Sequence, residues 1–191
     1  MRVIAGNYRS RLLVAPRGVD TRPTSDRLRE TLFNVLAPRI EGAVFADLYA
    51  GSGAVGIEAI SRGASLVYLV EQAASALTAI RENLDKLAIR SGYQLETRTV
   101  SAFLRRLLTQ KSLLDIVFLD PPYESAKEYD ATLGYLGSDG SSLLNSGGIV
   151  IAEHRRKQSL AGQYGGLARY RVLEQGDAAL SFYHSGDETR A

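Results

Sequence analysis

From residue 43 to residue 152, short apolar runs alternate with amphipathic segments, and this rhythm narrows the possible folds more than any other feature of the chain. Strands are predicted at 43–48, 66–71, 95–100, 114–119 and 147–152, and helices at 54–62, 73–90, 101–109, 126–136 and, weakly, 139–144. Such alternation builds βαβ units, hence a mainly parallel sheet with helices on both faces. The rhythm breaks late. Residues 169–175 and 178–184 flank Gly176-Asp177 and read as an antiparallel hairpin, while 154–168 reads as loop or weak helix. At the start, 2–5 and 8–14 are β-prone runs on either side of Gly6-Asn7, a two-residue hairpin signal. Pro16, Gly18 and Pro23 punctuate the loop that follows. Thr24 or Ser25 can cap a helix with Asp26 in its first turn and Leu28, Leu32, Phe33, Val35 and Leu36 on one face. Arg22, Arg27 and Arg29 are placed on that helix's exposed side or in its approach loop.

Composition removes several chemistries. The chain has no cysteine, which excludes disulfide scaffolds, thiolate zinc sites and cysteine nucleophiles, and His154 and His184 are too few for a histidine-rich metal centre. No apolar run approaches the roughly 20 residues that a membrane helix needs, and no signal peptide is visible, so a soluble cytoplasmic protein without a metal is expected. Charge is unevenly spread. Residues 1–39 hold eight arginines against three carboxylates, a net +5, which leaves −3 for residues 40–191 of a chain whose total is +2. Arginine's planar fork suits phosphate oxygens and base stacking, so the first fifth reads either as a solvated arm or as a footprint for nucleic acid. The expected organisation is a basic extension over 1–39 and one compact domain over 40–191.

Residues 46–56, Ala-Asp-Leu-Tyr-Ala-Gly-Ser-Gly-Ala-Val-Gly, place Gly51, Gly53 and Gly56 in a G-x-G-x-x-G pattern between a strand and a helix. Glycine is required where a backbone turns sharply or a ligand comes closer than a Cβ allows. Glu71, 20 residues after Gly51, closes the second strand and is placed to receive ribose hydroxyls. Those residues suit a nicotinamide dinucleotide and S-adenosyl-L-methionine equally. Asp47 breaks the tie: a carboxylate gains nothing beside a pyrophosphate but would face the methionyl ammonium. The pattern Asp47-x-x-x-Gly51-x-Gly53 resembles the first motif of S-adenosylmethionine-dependent methyltransferases. That resemblance implies cofactor contacts from Asp47, Tyr49, Gly51, Ser52, Gly53, Gly56 and Glu71, with Ser101 standing where such enzymes place an acidic or amide residue against the adenine.

Asp120-Pro-Pro-Tyr123 follows the strand 114–119, and the carboxyl ends of parallel strands are where open α/β sheets present ligand-facing groups. Pro121 and Pro122 stiffen the loop and remove two donors, leaving carbonyl acceptors. The Asp120 carboxylate and the Pro121 carbonyl then form a stiff pair of acceptors beside the ring of Tyr123. An exocyclic amino nitrogen is a poor nucleophile because its lone pair is delocalised; gripping both hydrogens turns that lone pair out of the ring plane. The motif resembles [DN]-P-P-[YF] of amino-group methyltransferases, and leaves adenine, cytosine, guanine and a glutamine amide open as acceptors.

The resemblance then extends over nearly the whole chain. Arg22-Pro-Thr-Ser-Asp-Arg-Leu-Arg-Glu-Thr-Leu-Phe-Asn34, Arg2-Val-Ile-Ala-Gly6, Asp47-Leu-Tyr-Ala-Gly-Ser-Gly53, Asp120-Pro-Pro-Tyr123 and Gly176-Asp-Ala-Ala-Leu-Ser-Phe-Tyr183 together resemble the RsmD family. These are bacterial methyltransferases that modify the exocyclic amino group of one guanine in 16S rRNA. Ser101 departs from the family's usual Asp or Asn. The resemblance implies a Rossmann-like class I methyltransferase fold: a seven-stranded sheet, six strands parallel and one antiparallel, with an antiparallel C-terminal hairpin and an N-terminal hairpin-and-helix extension. It implies S-adenosyl-L-methionine as cofactor and S-adenosyl-L-homocysteine as product. It also implies 16S rRNA within a small-subunit assembly particle as partner, a monomeric enzyme, and an unpaired guanine flipped against Tyr123. Arg2, Arg9, Arg11, Arg22 and Arg27 are the candidate RNA contacts. His154 reads as solvent-facing or capped. The competing readings are a DNA adenine amino-methyltransferase, for whose usual target-recognition domain 191 residues leave little room, a catalytically silent RNA-binding assembly factor, and a nicotinamide oxidoreductase.

Overall fold

The structure, a computed structural model, describes residues 1–16, 25–122 and 126–185. It comprises two compact units, Met1–Thr99 and Val100–Ala191. The first contains α1 (Asp26–Leu36), β1 (Val44–Leu48), α2 (Ala54–Ser61), β2 (Leu66–Val70), α3 (Ala74–Lys86) and β3 (Tyr93–Glu96). Its three strands run parallel with β2 in the middle; Val44 lies opposite Leu66 and Val67 opposite Tyr93. Phe45–Leu48 and Val67–Val70 are buried at odd and even positions alike, as expected of strands covered on both faces. Ser25 caps α1, its Oγ accepting the Leu28 N–H at 3.1 Å, and Phe33 of that helix stacks on Phe45 with ring centroids 6.3 Å apart.

In this unit two elements depart from the sequence reading by more than one residue. Helix α3 stops at Lys86 rather than at 90, because Ala88 takes a left-handed φ of +54° and the Ile89 N–H bonds back to the Leu84 carbonyl. A helix stop of this kind normally announces itself with glycine, and here it does not. Strand β3 spans Tyr93–Glu96 rather than 95–100, since Val100 opens the buried stripe Val100, Phe103, Leu104, Leu107 of the next helix.

The N-terminal segment is only partly the hairpin expected at Gly6-Asn7. Arg2 and Leu12 form a single antiparallel bridge, and the Val3 N–H bonds to the Arg11 carbonyl at 2.9 Å. Between them lies a wider loop fastened to α2. The Glu58 carboxylate accepts the Ile4 and Ala5 N–H groups at 2.7 and 3.0 Å, and Ser61 Oγ accepts the Tyr8 N–H at 3.0 Å. A Cβ on Gly6 would sit 1.8 Å from the Ser61 carbonyl oxygen, so glycine there serves the close approach to the helix rather than a two-residue turn.

The second unit contains α4 (Val100–Gln110), β4 (Leu114–Leu119), α5 (Ala126–Leu136), a short 3₁₀ turn at Ser141–Leu143, β5 (Leu144–Arg155), β6 (Gln163–Tyr164), β7 (Leu167–Gln175) and β8 (Ala178–Ser185). Strand β4 pairs parallel with β5, whose other side pairs antiparallel with β8, followed by β7 and β6, also antiparallel. The expected hairpin is therefore present, but five strands lie in parallel pairs and three in antiparallel pairs alone, eight among the described residues where seven were expected, six of those parallel. The added strand is β6, inside the segment read as loop or weak helix. It is short, and it lies close against the end of α5: a Cβ on Gly137 would meet the Tyr164 carbonyl oxygen at 1.7 Å. Among the described residues, no helix is long and apolar enough to cross a membrane, and no cluster of His, Asp and Glu could hold a metal ion.

Candidate active site

In the first unit the turn after β1 is built from residues in left-handed conformations: Tyr49 at φ +67°, Gly51 at +55° and Gly53 at +76°. Tyr49 has a Cβ and so holds this conformation at a cost of about 1–3 kcal/mol, a strain found preferentially where backbones meet ligands. The three glycines differ in purpose. A Cβ on Gly56 would lie 2.3 Å from Leu69 Cδ2, so it is a packing glycine; one on Gly53 would lie 3.2 Å from Ile80 Cγ1, and that glycine answers to its left-handed backbone as well as to packing. A Cβ on Gly51 would meet nothing within 4 Å. Its glycine faces open space, the arrangement a bound ligand requires.

Two carboxylates organise this turn. Gly53 caps α2 without a side chain, and Asp47 replaces the missing cap: its Oδ2 accepts the Gly56 N–H at 2.8 Å while the residue is only 1% exposed. Glu71 accepts the Gly51 N–H on Oε2 at 2.9 Å and the Gln72 and Ala73 N–H groups on Oε1 at 2.7 and 2.8 Å. It thereby orders the two residues that lead into α3 and fixes the turn to the end of β2. A carboxylate offers about four acceptor positions, so Glu71 keeps capacity for a hydroxyl donor. Ser52 is buried in the turn, and its Oγ lies 3.6 Å from Met1 Sδ.

In the second unit β4 leads directly into the Asp-Pro-Pro segment. Asp120 is half-buried at the strand's end, Pro121 is buried and Pro122 exposed; Tyr123 lies outside the described residues. Ser101 is exposed on the first turn of α4 and does not directly follow a strand, because β3 ends at Glu96 rather than at 100.

Of the candidate RNA contacts, Arg2, Arg9, Arg11 and Arg27 are exposed, and Arg22 lies outside the described residues. Arg29 is not on the exposed side of α1. It is 0% exposed, sharing the inner stripe with Leu28, Leu32, Phe33 and Leu36, and it donates to the Arg2 carbonyl and to Asp26 Oδ1. Its Nε lies 3.9 Å from Oε2 of the equally buried Glu58. His154 is capped rather than solvent-facing: Nε2 pairs with Ser181 Oγ and Nδ1 with the Arg155 carbonyl, each at 2.9 Å.

Three polar side chains around the turn were missed by the sequence reading: Glu58, Ser61 and Asn83. Each occupies an apolar helix stripe, as Asn83 does between Ile80 and Leu84 of α3, and a polar residue in such a stripe is the signal that would have found it.

The family model described as conserved hypothetical protein 95 matches residues 1–184. The Bacillus subtilis (strain 168) protein YlbH, provisionally named an rRNA methyltransferase, is 33% identical over 183 residues, covering 96% of this chain and 98% of that protein. Ribosomal RNA small subunit methyltransferase D of Escherichia coli (strain K12) is 42% identical over 124 residues, 64% of this chain and 60% of that one. Among solved structures, a hypothetical protein from Thermus thermophilus superposes with a TM-score of 0.80 at 30% identity, covering 95% of this chain and 98% of the other.

Proposed function

The chain belongs to the conserved hypothetical protein 95 family, the RsmD family its sequence resembles, and on that premise we propose that it methylates the exocyclic amino group of one guanine in bacterial 16S rRNA, using S-adenosyl-L-methionine. The observation that carries the reading is the glycine turn: Gly51 opens onto free space between a buried carboxylate from β1 and a carboxylate at the end of β2. The names of the relatives supply the substrate class. In this reading Asp47 faces the methionyl ammonium, Glu71 receives the ribose hydroxyls, Gly51, Ser52, Gly53 and Gly56 form the floor, and Tyr49 and Ser101 contribute at the margins. When bound, the cofactor supplies a methyl group activated by a sulfonium.

The acceptor side rests on Asp120–Tyr123. The Asp120 carboxylate and the Pro121 carbonyl accept the two amino hydrogens, and Pro122 keeps the loop stiff. Tyr123 stacks on the guanine. With both hydrogens held, the nitrogen lone pair points out of the ring plane; the proton released as the new C–N bond forms passes to Asp120 or to water. Such a reaction needs the guanine unstacked, so the target is an unpaired or flipped base. Arg2, Arg9, Arg11, Arg22 and Arg27, in a basic extension over residues 1–39 preceding a methyltransferase domain over 40–191, hold the RNA phosphates. The enzyme acts as a monomer on a small-subunit assembly particle.

The test is incubation with labelled S-adenosyl-L-methionine and small-subunit particles from a strain lacking the enzyme, with mapping of the modified nucleotide. Label on the N2 of a single guanine is the expected result. Label on another base, or none with a cofactor that demonstrably binds, overturns the reading.

A further inference from the structure

The N-terminal arm and the cofactor turn share one buried carboxamide. Asn83, on α3 and 0% exposed, accepts the Val14 N–H on Oδ1 at 2.7 Å; its Nδ2 donates to the Val14 carbonyl at 3.0 Å and to the Ser52 carbonyl at 2.9 Å. Both donors and the acceptor oxygen are thus engaged, the oxygen and one N–H on the arm and the other N–H on the turn between Gly51 and Gly53. The remainder of the arm is anchored to α2, whose N-terminus is that same turn: Ile4 and Ala5 on Glu58, Asn7 and Tyr8 on Ser61. The segment carrying the exposed Arg2, Arg9 and Arg11 is therefore held to the turn at two places, through α2 and through Asn83.

Resting on the function proposed above, we propose that Asn83 is a positioning residue that couples RNA binding at the arm to cofactor binding at the glycine turn. The physical reason is that no water reaches the amide. If the Ser52 carbonyl shifts, either a buried hydrogen bond is left unmade or Asn83 and Val14 move with it. A cofactor that fixes the turn therefore fixes Val14 and preorganises the arm; RNA that fixes the arm narrows the positions open to the turn. The coupling is positive, and by linkage each ligand tightens the other by the same factor. A purely structural asparagine would weaken both sites, or the fold, and leave the factor between them unchanged.

The measurement is the affinity of S-adenosyl-L-homocysteine with and without unmethylated small-subunit particles, for the wild-type chain and for Asn83→Ala and Asn83→Asp. Alanine removes the link, while aspartate keeps the acceptor for the Val14 N–H and loses both donors. Either variant suffices if the other does not fold. We expect the particle to tighten the wild-type chain's hold on S-adenosyl-L-homocysteine by about fivefold or more, and the ratio to fall to within about twofold of unity in the variants, whatever their affinity for the cofactor product alone. A ratio near unity in the wild-type chain, or an undiminished ratio in the variants, overturns the proposal. Absence of any S-adenosyl-L-homocysteine binding by the wild-type chain fails the functional reading itself, a result distinct from binding without coupling.

Discussion

Gly51 and Gly56 belong to one motif, yet substitution should separate their roles. In Gly56→Ala the new methyl group would be driven into Leu69 and Val67, between β2 and α2, and overpacking of this kind costs about 1–3 kcal/mol. In Gly51→Ala nothing opposes the methyl group except the left-handed backbone, a cost of about 1–2 kcal/mol. Gly51→Ala is therefore expected to remain folded while losing most of its affinity for S-adenosyl-L-homocysteine; Gly56→Ala should show the larger fall in denaturation midpoint. Calorimetric titration beside urea unfolding distinguishes the two, and equal loss of ligand affinity and stability in both variants would contradict the division. Asp120 makes the complementary case. It lies at the end of β4 rather than at the glycine turn, so Asp120→Ala is expected to retain S-adenosyl-L-homocysteine binding while its turnover falls by about 10²–10⁴-fold, the range for losing a group that manages protons in the transition state. Near-normal kcat in that variant would remove Asp120 from the chemistry.

At the scale of elements, periodicity made the fold legible where one residue type dominates a face. The apolar runs of β1, β2 and β4 and the stripe of α1 were readable because each side chain there answers mainly to burial. What escaped was set by partners distant in sequence or by a backbone conformation that its residue type does not announce. Arg29 reads as a surface cation until Glu58, on another helix, supplies the buried counter-charge. The end of α3 depends on a left-handed alanine, and β6 lies close against Gly137, beyond α5. The antiparallel pair β5–β8 carries a consequence of the same kind. The Arg155 carbonyl can only accept, so the His154 proton sits on Nδ1 and Nε2 accepts from the Ser181 hydroxyl. Burial pushes His154 below its ordinary 6.5. In the window below that value the unfolded chain binds a proton that the native chain refuses, so the unfolding free energy rises with pH there and levels off above it. The urea midpoint is expected to drop as the pH is taken from about 7 to about 5. His154→Gln, though less stable at neutral pH, should show a shallower drop, and an identical slope in both proteins would exclude His154 as the source.

For the molecule as a whole, the sequence made its polarity of charge plain, since +5 in the first 39 residues against −3 in the rest needs no structure to be seen. It did not reveal how that charge is held. Glu58 is the keystone: it is buried, accepts two backbone N–H groups of the arm and Arg62 Nε, and faces Arg29. Glu58→Ala would strand the Ile4 and Ala5 N–H groups and leave Arg29 only the half-exposed Asp26 carboxylate as counter-charge, so a destabilisation of about 3–5 kcal/mol is expected in chemical denaturation; a loss below about 1 kcal/mol would mean that the arm and α1 hold without it. The exposed arginines answer to a different measurement. Each phosphate contact releases a condensed counterion, so log K falls with log salt at a slope of about 0.7 per contact on single strands and 0.9 on duplex. Replacing Arg9 and Arg11 together with glutamine is therefore expected to flatten the slope for small-subunit RNA by about 1.4 to 1.8. Because both side chains are exposed and neither appears in the hydrogen bonds that fasten the arm to Glu58, Ser61 and Asn83, the unfolding midpoint should stay where it was. A slope unchanged by the double substitution would show that the basic arm does not touch phosphate at these positions, and would move the RNA footprint elsewhere on the chain.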